Sequence, residues 1–212
     1  LVIGISGGID SSVSSTLSAM TGLKTIVLSM PIKQKINQHD LSLKHQEWLV
    51  KNFNNVEAYT INLDELFDSF SISLNKFDNE HGFANSRARL RMTTLYQVAA
   101  ANKGIVVGTG NKVEDFGIGF YTKYGDGGVD ISPIADCNKT EIWEIGKELG
   151  ILKEIIDAPP TDGLWDDGRT DEGQLGFKYE DLEDAMNNPN SPHRQEYEKI
   201  RKQNLHKMEP IP

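Results

Sequence analysis

Six consecutive residues, Ser6-Gly7-Gly8-Ile9-Asp10-Ser11, have the side chains and spacing to hold phosphate. Glycines let backbone approach an anion closely and permit the turn that exposes successive N–H groups. A helix starting just after them would add unpaired amides and a positive dipole end. Ser6, Ser11 and Ser12 supply further hydroxyl donors. No Gly-Lys-Ser/Thr ending follows, so this is not a Walker loop, and a third glycine is missing for the dinucleotide fingerprint. Asp10 sets a negative charge where phosphate would lie, and a divalent cation bridging its carboxylate to phosphate oxygens resolves the conflict. The bland alternative is an ordinary glycine turn with Asp10 in the first turn of a helix. No Ser-His-Asp or Cys-His arrangement accompanies the loop, which points to chemistry by positioning and charge neutralisation rather than by a protein nucleophile.

The flanking elements suit that role. Leu1 to Ile5 is an uninterrupted apolar run, as expected of a strand buried on both faces of a parallel sheet. Asp10 to Met20 reads as a helix ending near Gly22, Lys24 to Met30 as a strand, Gln38 to Asn54 as a helix and Val56 to Ile61 as a strand. Helical stretches follow from Asp64 to about Phe77 and from Asn85 to Asn102, separated by a polar break, and Ile105 to Val107 is a fourth strand. The expected fold is therefore α/β, an open parallel sheet with helices on both faces. Asn138 with Glu141 three residues later predicts a helix start, and Gly150 its end. Residues 157–173 form a long loop suited to an active-site lid, and two polar helices, roughly 179–187 and 191–204, lie in a C-terminal segment spanning 179–212. The reading is of one domain over 1–212. Because a core strand seldom opens a domain, residues upstream of Leu1 are expected.

Composition narrows the function classes. Twenty-two Lys and Arg against 31 Asp and Glu give a net charge of −9, which disfavours a nucleic-acid partner. No apolar stretch approaches the roughly 18 residues of a membrane span. A single cysteine, Cys137, excludes an internal disulfide and a cysteine-rich zinc site, and makes a reducing, cytoplasmic setting the simplest expectation.

The Ser-Gly-Gly-x-Asp-Ser loop after a first strand resembles the pyrophosphate loop of N-type ATP pyrophosphatases, whose fold is adenine nucleotide alpha-hydrolase-like (Rossmann-like). Within that superfamily, Ala88-Arg89-Leu90-Arg91-Met92, Gly108-Thr109 with Glu114, the run Phe120-Tyr121-Thr122-Lys123-Tyr124-Gly125-Asp126-Gly127-Gly128, Lys139, Ala158-Pro159-Pro160-Thr161, Asp171-Glu172 and His206-Lys207 are similar to ammonia-dependent NAD synthetase. The resemblance implies that ATP is held by Gly4, Ile5, Ser6, Gly7, Gly8, Ile9, Asp10, Ser11, Thr109, Lys139 and Thr161, with Asp10, Lys139 and Thr161 catalytic. It implies Mg²⁺ at Asp10 and Glu114, and deamido-NAD contacts at Arg89, Lys123, Asp130, His206 and Lys207. It further implies a homodimer that adenylates the nicotinate carboxylate and amidates it with ammonia.

Two departures stand out. The loop Ile32 to Asp40 lacks an acidic run common in the family, and Gly110 stands where many members carry Asp. Two other readings keep the phosphate loop. An enzyme adenylating another acceptor, such as tRNA, fits the acidic charge and single cysteine poorly. A non-catalytic nucleotide sensor has no use for a second carboxylate, a substrate-binding arginine or a lid.

Overall fold

The structure is a computed structural model and describes residues 1–33, 36–160, 173 and 176–209, without the side chains of 36–38. Strands β1 (Val2–Gly4), β2 (Thr25–Ser29), β3 (Val56–Thr60) and β4 (Val106–Val107) form one parallel sheet in the order β3-β2-β1-β4. Helices α1 (Ile9–Met20), α2 (Ile36–Asn52), α3 (Asp64–Ser73) and α4 (Glu80–Ala101) make the crossovers. Successive strand residues point to opposite faces. Val2, Ile26, Leu28 and Val106 pack with Phe67 of α3 and Met92, Leu95 and Ala99 of α4. Ile3, Val27 and Val107 pack with Ala19 of α1 and Leu49 of α2 on the other side. The apolar strands lack polar alternation because both faces are covered, as the α/β reading of the sequence requires.

Element boundaries differ where side-chain caps outweigh composition. The polar break expected before the fourth helix contains its first turn: Asn79 accepts the Gly82 N–H at 2.7 Å, and α4 starts at Glu80 rather than Asn85. The third helix stops at Ser73 and a 3₁₀ turn continues to Phe77. Gly22 and Gly150 adopt left-handed φ of 75° and 71° just past the helices they end. After β4 comes an unexpected π-helical segment, Lys112–Ile118.

Helices α5 (Lys139–Glu148) and α6 (Lys153–Ile156) pack against α1 through Ile142, Ile151 and Ile155 around Ile9 and Val13. Helix α7 (Tyr179–Asn187) and the later-starting α8 (Arg194–Met208) enclose Val113 and Ile118 of the π segment with Tyr179, Leu182 and Tyr197. Among the described residues, no helix is long and apolar enough to cross a membrane.

Candidate active site

Chain progression reverses between β1 and β4. From β1 the chain moves outward to β2 and β3, and β4 returns on the other side of β1. Loops leaving the carboxyl ends of β1 and β4 diverge there and open the crevice where such sheets bind ligands. The first of these loops is the serine-glycine loop. Gly7 has φ 90°, a conformation that favours glycine. Ser6 Oγ accepts the Gly8 N–H at 3.2 Å and lies 3.0 Å from Ser11 Oγ, which also accepts the Ser6 N–H. The Ser11 and Ser12 hydroxyls donate to the Gly8 carbonyl at 3.0 and 2.9 Å. Intrahelical bonding begins at the Ser12 N–H, leaving the amides of Ile9, Asp10 and Ser11 at the mouth of the loop. Gly4 and Ile5 form the strand end beneath, and Ile5 and Ile9 are buried anchors.

Beside this loop four elements converge on one buried charge cluster. Lys139, the first residue of α5, is 2% exposed and places its ammonium 2.5 Å from Asp10 Oδ2 and 2.9 Å from Glu114 Oε1. Glu114 comes from the π segment, and its Oε1 also accepts the Tyr179 hydroxyl from α7 at 2.5 Å. The Tyr179 ring centroid lies 4.9 Å from Lys139 Nζ, so the ammonium has an aromatic face as well as two anions. Burial alone would lower the Lys139 pKa, but Asp10 and Glu114 outweigh it and the net shift is upward. Burial pushes the Glu114 carboxyl up against the opposing pull of Lys139. The trio carries one positive and two negative charges, so its two carboxylates are under-neutralised.

Next to it, burial and the nearby Asp126 hold the Asp115 carboxyl well above its ordinary range. A Cβ on Gly110 would lie 1.9 Å from Asp115 Oδ2, so glycine at 110 is what lets this carboxylate occupy its place.

The residues expected to meet the dinucleotide gather elsewhere, around 119–125 and the end of α8. Arg89 Nε donates to the Lys123 carbonyl at 3.2 Å, Lys123 Nζ to the His206 carbonyl at 2.7 Å, and Lys207 Nζ to the carbonyls of Gly119 and Tyr121 at 2.9 Å. Arg89, Lys123, His206 and Lys207 are thus brought into one basic edge. Asp130 is set apart from it: its carboxylate accepts the Tyr96 hydroxyl at 3.0 Å and the Val106 N–H at 2.7 Å, tying α4 to β4. Of the neighbouring arginines, Arg87 covers the Phe67 ring and Arg91 donates to the Met30 carbonyl, whereas Arg89 joins the edge. Thr109 is half-buried at the end of β4. Thr161, Asp171-Glu172 and most of the 157–173 loop lie outside the described residues.

Sequence reading missed Asn111 and Tyr179. Asn111 is fully buried directly after Gly108-Thr109-Gly110, and a polar residue trailing a core strand was its only signal. Tyr179 carried none.

Two carboxylate oxygens aimed at one point, beside a phosphate-type loop, are a hard donor set that suits Mg²⁺. That ion commonly takes one or two carboxylates and completes its shell with phosphate oxygens and water. Among the described residues no cluster of three or more acidic, His or Cys side chains forms a self-sufficient metal cage. This arrangement therefore fits a cation that arrives with a nucleotide.

The family model for NAD synthase matches residues 1–210. An NH(3)-dependent NAD(+) synthetase of Carboxydothermus hydrogenoformans is 41% identical over 188 residues, covering 86% of this chain and 74% of that protein. One from Sulfurisphaera tokodaii is 40% identical over 185 residues, and there the chain spans 64% of the relative's length. The solved structure of NMN synthetase from Francisella tularensis superposes with a TM-score of 0.91 at 34% identity, covering all of this chain and 87% of that one. On its sequence, its sheet order and its crevice, the chain belongs to the NAD synthase family.

Proposed function

We propose that the chain performs ATP-dependent amidation of deamido-NAD to NAD with ammonia. The carboxylate oxygen attacks the α-phosphorus of ATP, pyrophosphate leaves, and ammonia then displaces AMP from the acyl adenylate. The observation that carries this reading is the convergence of Asp10 and Glu114 on one point at the crevice between β1 and β4. Mg²⁺ held there by Asp10 and Glu114 would neutralise phosphate charge. Lys139, held between the same two carboxylates, would offer its ammonium to the departing pyrophosphate. The amides at the start of α1, with Ser6, Gly7, Gly8 and Ser11, cradle the phosphates. Thr109 and Thr161 complete the ATP contacts. Arg89, Lys123 and Lys207 present cations to the anionic dinucleotide, His206 contacts it beside them, and Asp130 supports that surface by anchoring α4 to β4. The 157–173 loop shields the adenylate from water.

The protein works as a cytoplasmic homodimer, with no nucleic acid or membrane partner. The exposed face of α4 beside the glycine-rich loop offers a suitable surface for the second copy. A cavity there of about 520 Å³ is lined by Met92, Tyr96 and Tyr124.

One observation favours a second acceptor. The Francisella tularensis structure that superposes at 0.91 is an NMN synthetase, so nicotinate mononucleotide is the alternative acid. The chemistry at the nicotinate carboxylate is the same for both. A coupled assay with ATP and Mg²⁺, offering each acid with and without ammonium, separates the two. Ammonium-dependent NAD with matched pyrophosphate from the dinucleotide supports the first reading, whereas selective turnover of the mononucleotide replaces it with the second. Absence of product from both acids would sink the assignment.

A further inference from the structure

At the crevice, the Asn111 side chain bonds both the loop that carries Asp10 and the segment that carries Glu114. Its side chain is fully buried, with 0% exposure. Its Oδ1 accepts the N–H groups of Val113 and Glu114 at 3.0 and 2.9 Å, capping the π segment. Its Nδ2 donates to Asp10 Oδ1 at 3.1 Å. One planar amide therefore joins the start of α1 to the turn that carries Glu114, across 101 residues of sequence.

From this geometry we infer that Asn111 is a positioning residue which sets the distance and orientation between the Asp10 and Glu114 carboxylates. This inference rests on the reading that those two carboxylates hold the cation. The physical case is as follows. Asp10 and Glu114 are both anionic, both partly desolvated, and share a single Lys139 ammonium. Left alone they repel, and in the absence of Lys139 or a cation they would drift apart. The Asn111 amide gives Asp10 Oδ1 a donor of fixed direction and turns Oδ2 toward the shared point. Its other end holds the Glu114 backbone rather than the Glu114 side chain, so the spacing survives when the occupant changes from ammonium to metal. A buried amide with donor and acceptor both satisfied is rigid, and rigidity here is what spares a cation the work of assembling its own ligands.

Capping and bridging are separable by mutation. Serine is an equally good N-cap acceptor but is too short to reach Asp10, whereas alanine loses both functions. The experiment measures Mn²⁺ binding to the full chain, by electron paramagnetic resonance, with and without a non-hydrolysable ATP analogue. Thermal melts are recorded on the same samples. Asn111→Ser is expected to melt close to the parent protein yet bind Mn²⁺ about tenfold more weakly with the analogue present, which corresponds to about 1.4 kcal/mol. Asn111→Ala is expected to lose the same metal affinity and to melt lower. Parent-like Mn²⁺ affinity in a folded Asn111→Ser protein would overturn the inference and leave Asn111 a helix cap.

If neither variant folds, the parent protein decides. Sub-stoichiometric Mn²⁺ must broaden the Asn111 side-chain amide resonances ahead of other asparagine side chains. Unbroadened Asn111 signals alongside bound Mn²⁺ overturn the inference. Failure of the parent protein itself to take up Mn²⁺ with the analogue removes the cation reading of Asp10 and Glu114, and this inference with it.

Discussion

Two charged regions of this molecule are built in opposite ways. At the crevice, a 2% exposed lysine meets two carboxylates, and every partner is itself held by a second bond. On the basic edge, Lys123 and Lys207 donate to neutral backbone carbonyls rather than to carboxylates. Burial explains the contrast. Desolvation makes an uncompensated charge costly, so the crevice must pair its ions. Near the surface a cation can be aimed by carbonyls alone and remain attractive to an anionic ligand. Pairing suits an exchangeable inorganic cation, and an unneutralised edge suits phosphates.

This contrast can be broken most severely at Lys139. Lys139→Met should strand two desolvated carboxylates, costing about 3–5 kcal/mol of stability, and should lower turnover by about 10²-fold or more. Calorimetry and the pyrophosphate assay check both, and a stable, active variant would show that the pairing is dispensable. Next in size, Asp10→Asn keeps the shape and the Asn111 contact but removes the charge. Metal-dependent turnover should fall by about 10³-fold while the melting temperature stays within a few degrees. Unchanged turnover would remove Asp10 from the site.

A third test probes another charge-intolerant point in the same buried half. His45 on α2 is fully buried, bonds Ser15 of α1 at 3.0 Å, and burial lowers its pKa to about 4. Its ordinary value of 6.5 in the unfolded chain lies above that, so folding favours the neutral ring. The contribution is fully present above about pH 6.5 and is lost as pH falls toward 4, amounting to about 2 kcal/mol by pH 5. Denaturation between pH 7 and 5 should show that loss, and His45→Gln should flatten it.

The smallest effect is expected at the basic edge. Lys123→Ala should weaken binding of the nicotinate acid by about five- to tenfold, about 1 kcal/mol, with ATP affinity unchanged. Added salt should narrow the difference between the two proteins, because exposed charges are screened. Titration calorimetry at two ionic strengths measures this, and equal weakening of ATP would merge the two regions into one.

How far these regions were legible in the sequence differs for a physical reason. The serine-glycine loop could be read because its chemistry is local: backbone conformation, helix start and hydroxyls lie within seven residues, Ser6 to Ser12. The start of α4 was misplaced because a single Asn79 cap outweighed a polar, glycine-containing composition. Arg87, Arg89 and Arg91 look alike in sequence, and only packing sends one to an aromatic ring, one to the basic edge and one to the end of β2.

By itself the sequence determined the succession of strands and helices, the serine-glycine turn that opens α1, and the net acidic charge of the chain. These follow from periodicity, glycine placement and composition, which act over short stretches of chain. Tertiary structure alone decided that Asn111 bridges Asp10 to the Glu114 backbone, that Tyr179 closes over Lys139, and that Gly110 makes room for Asp115. Each of those contacts depends on the sheet order that sets β4 beside β1. No local propensity encodes it, because it is the collective outcome of burying both faces of the sheet.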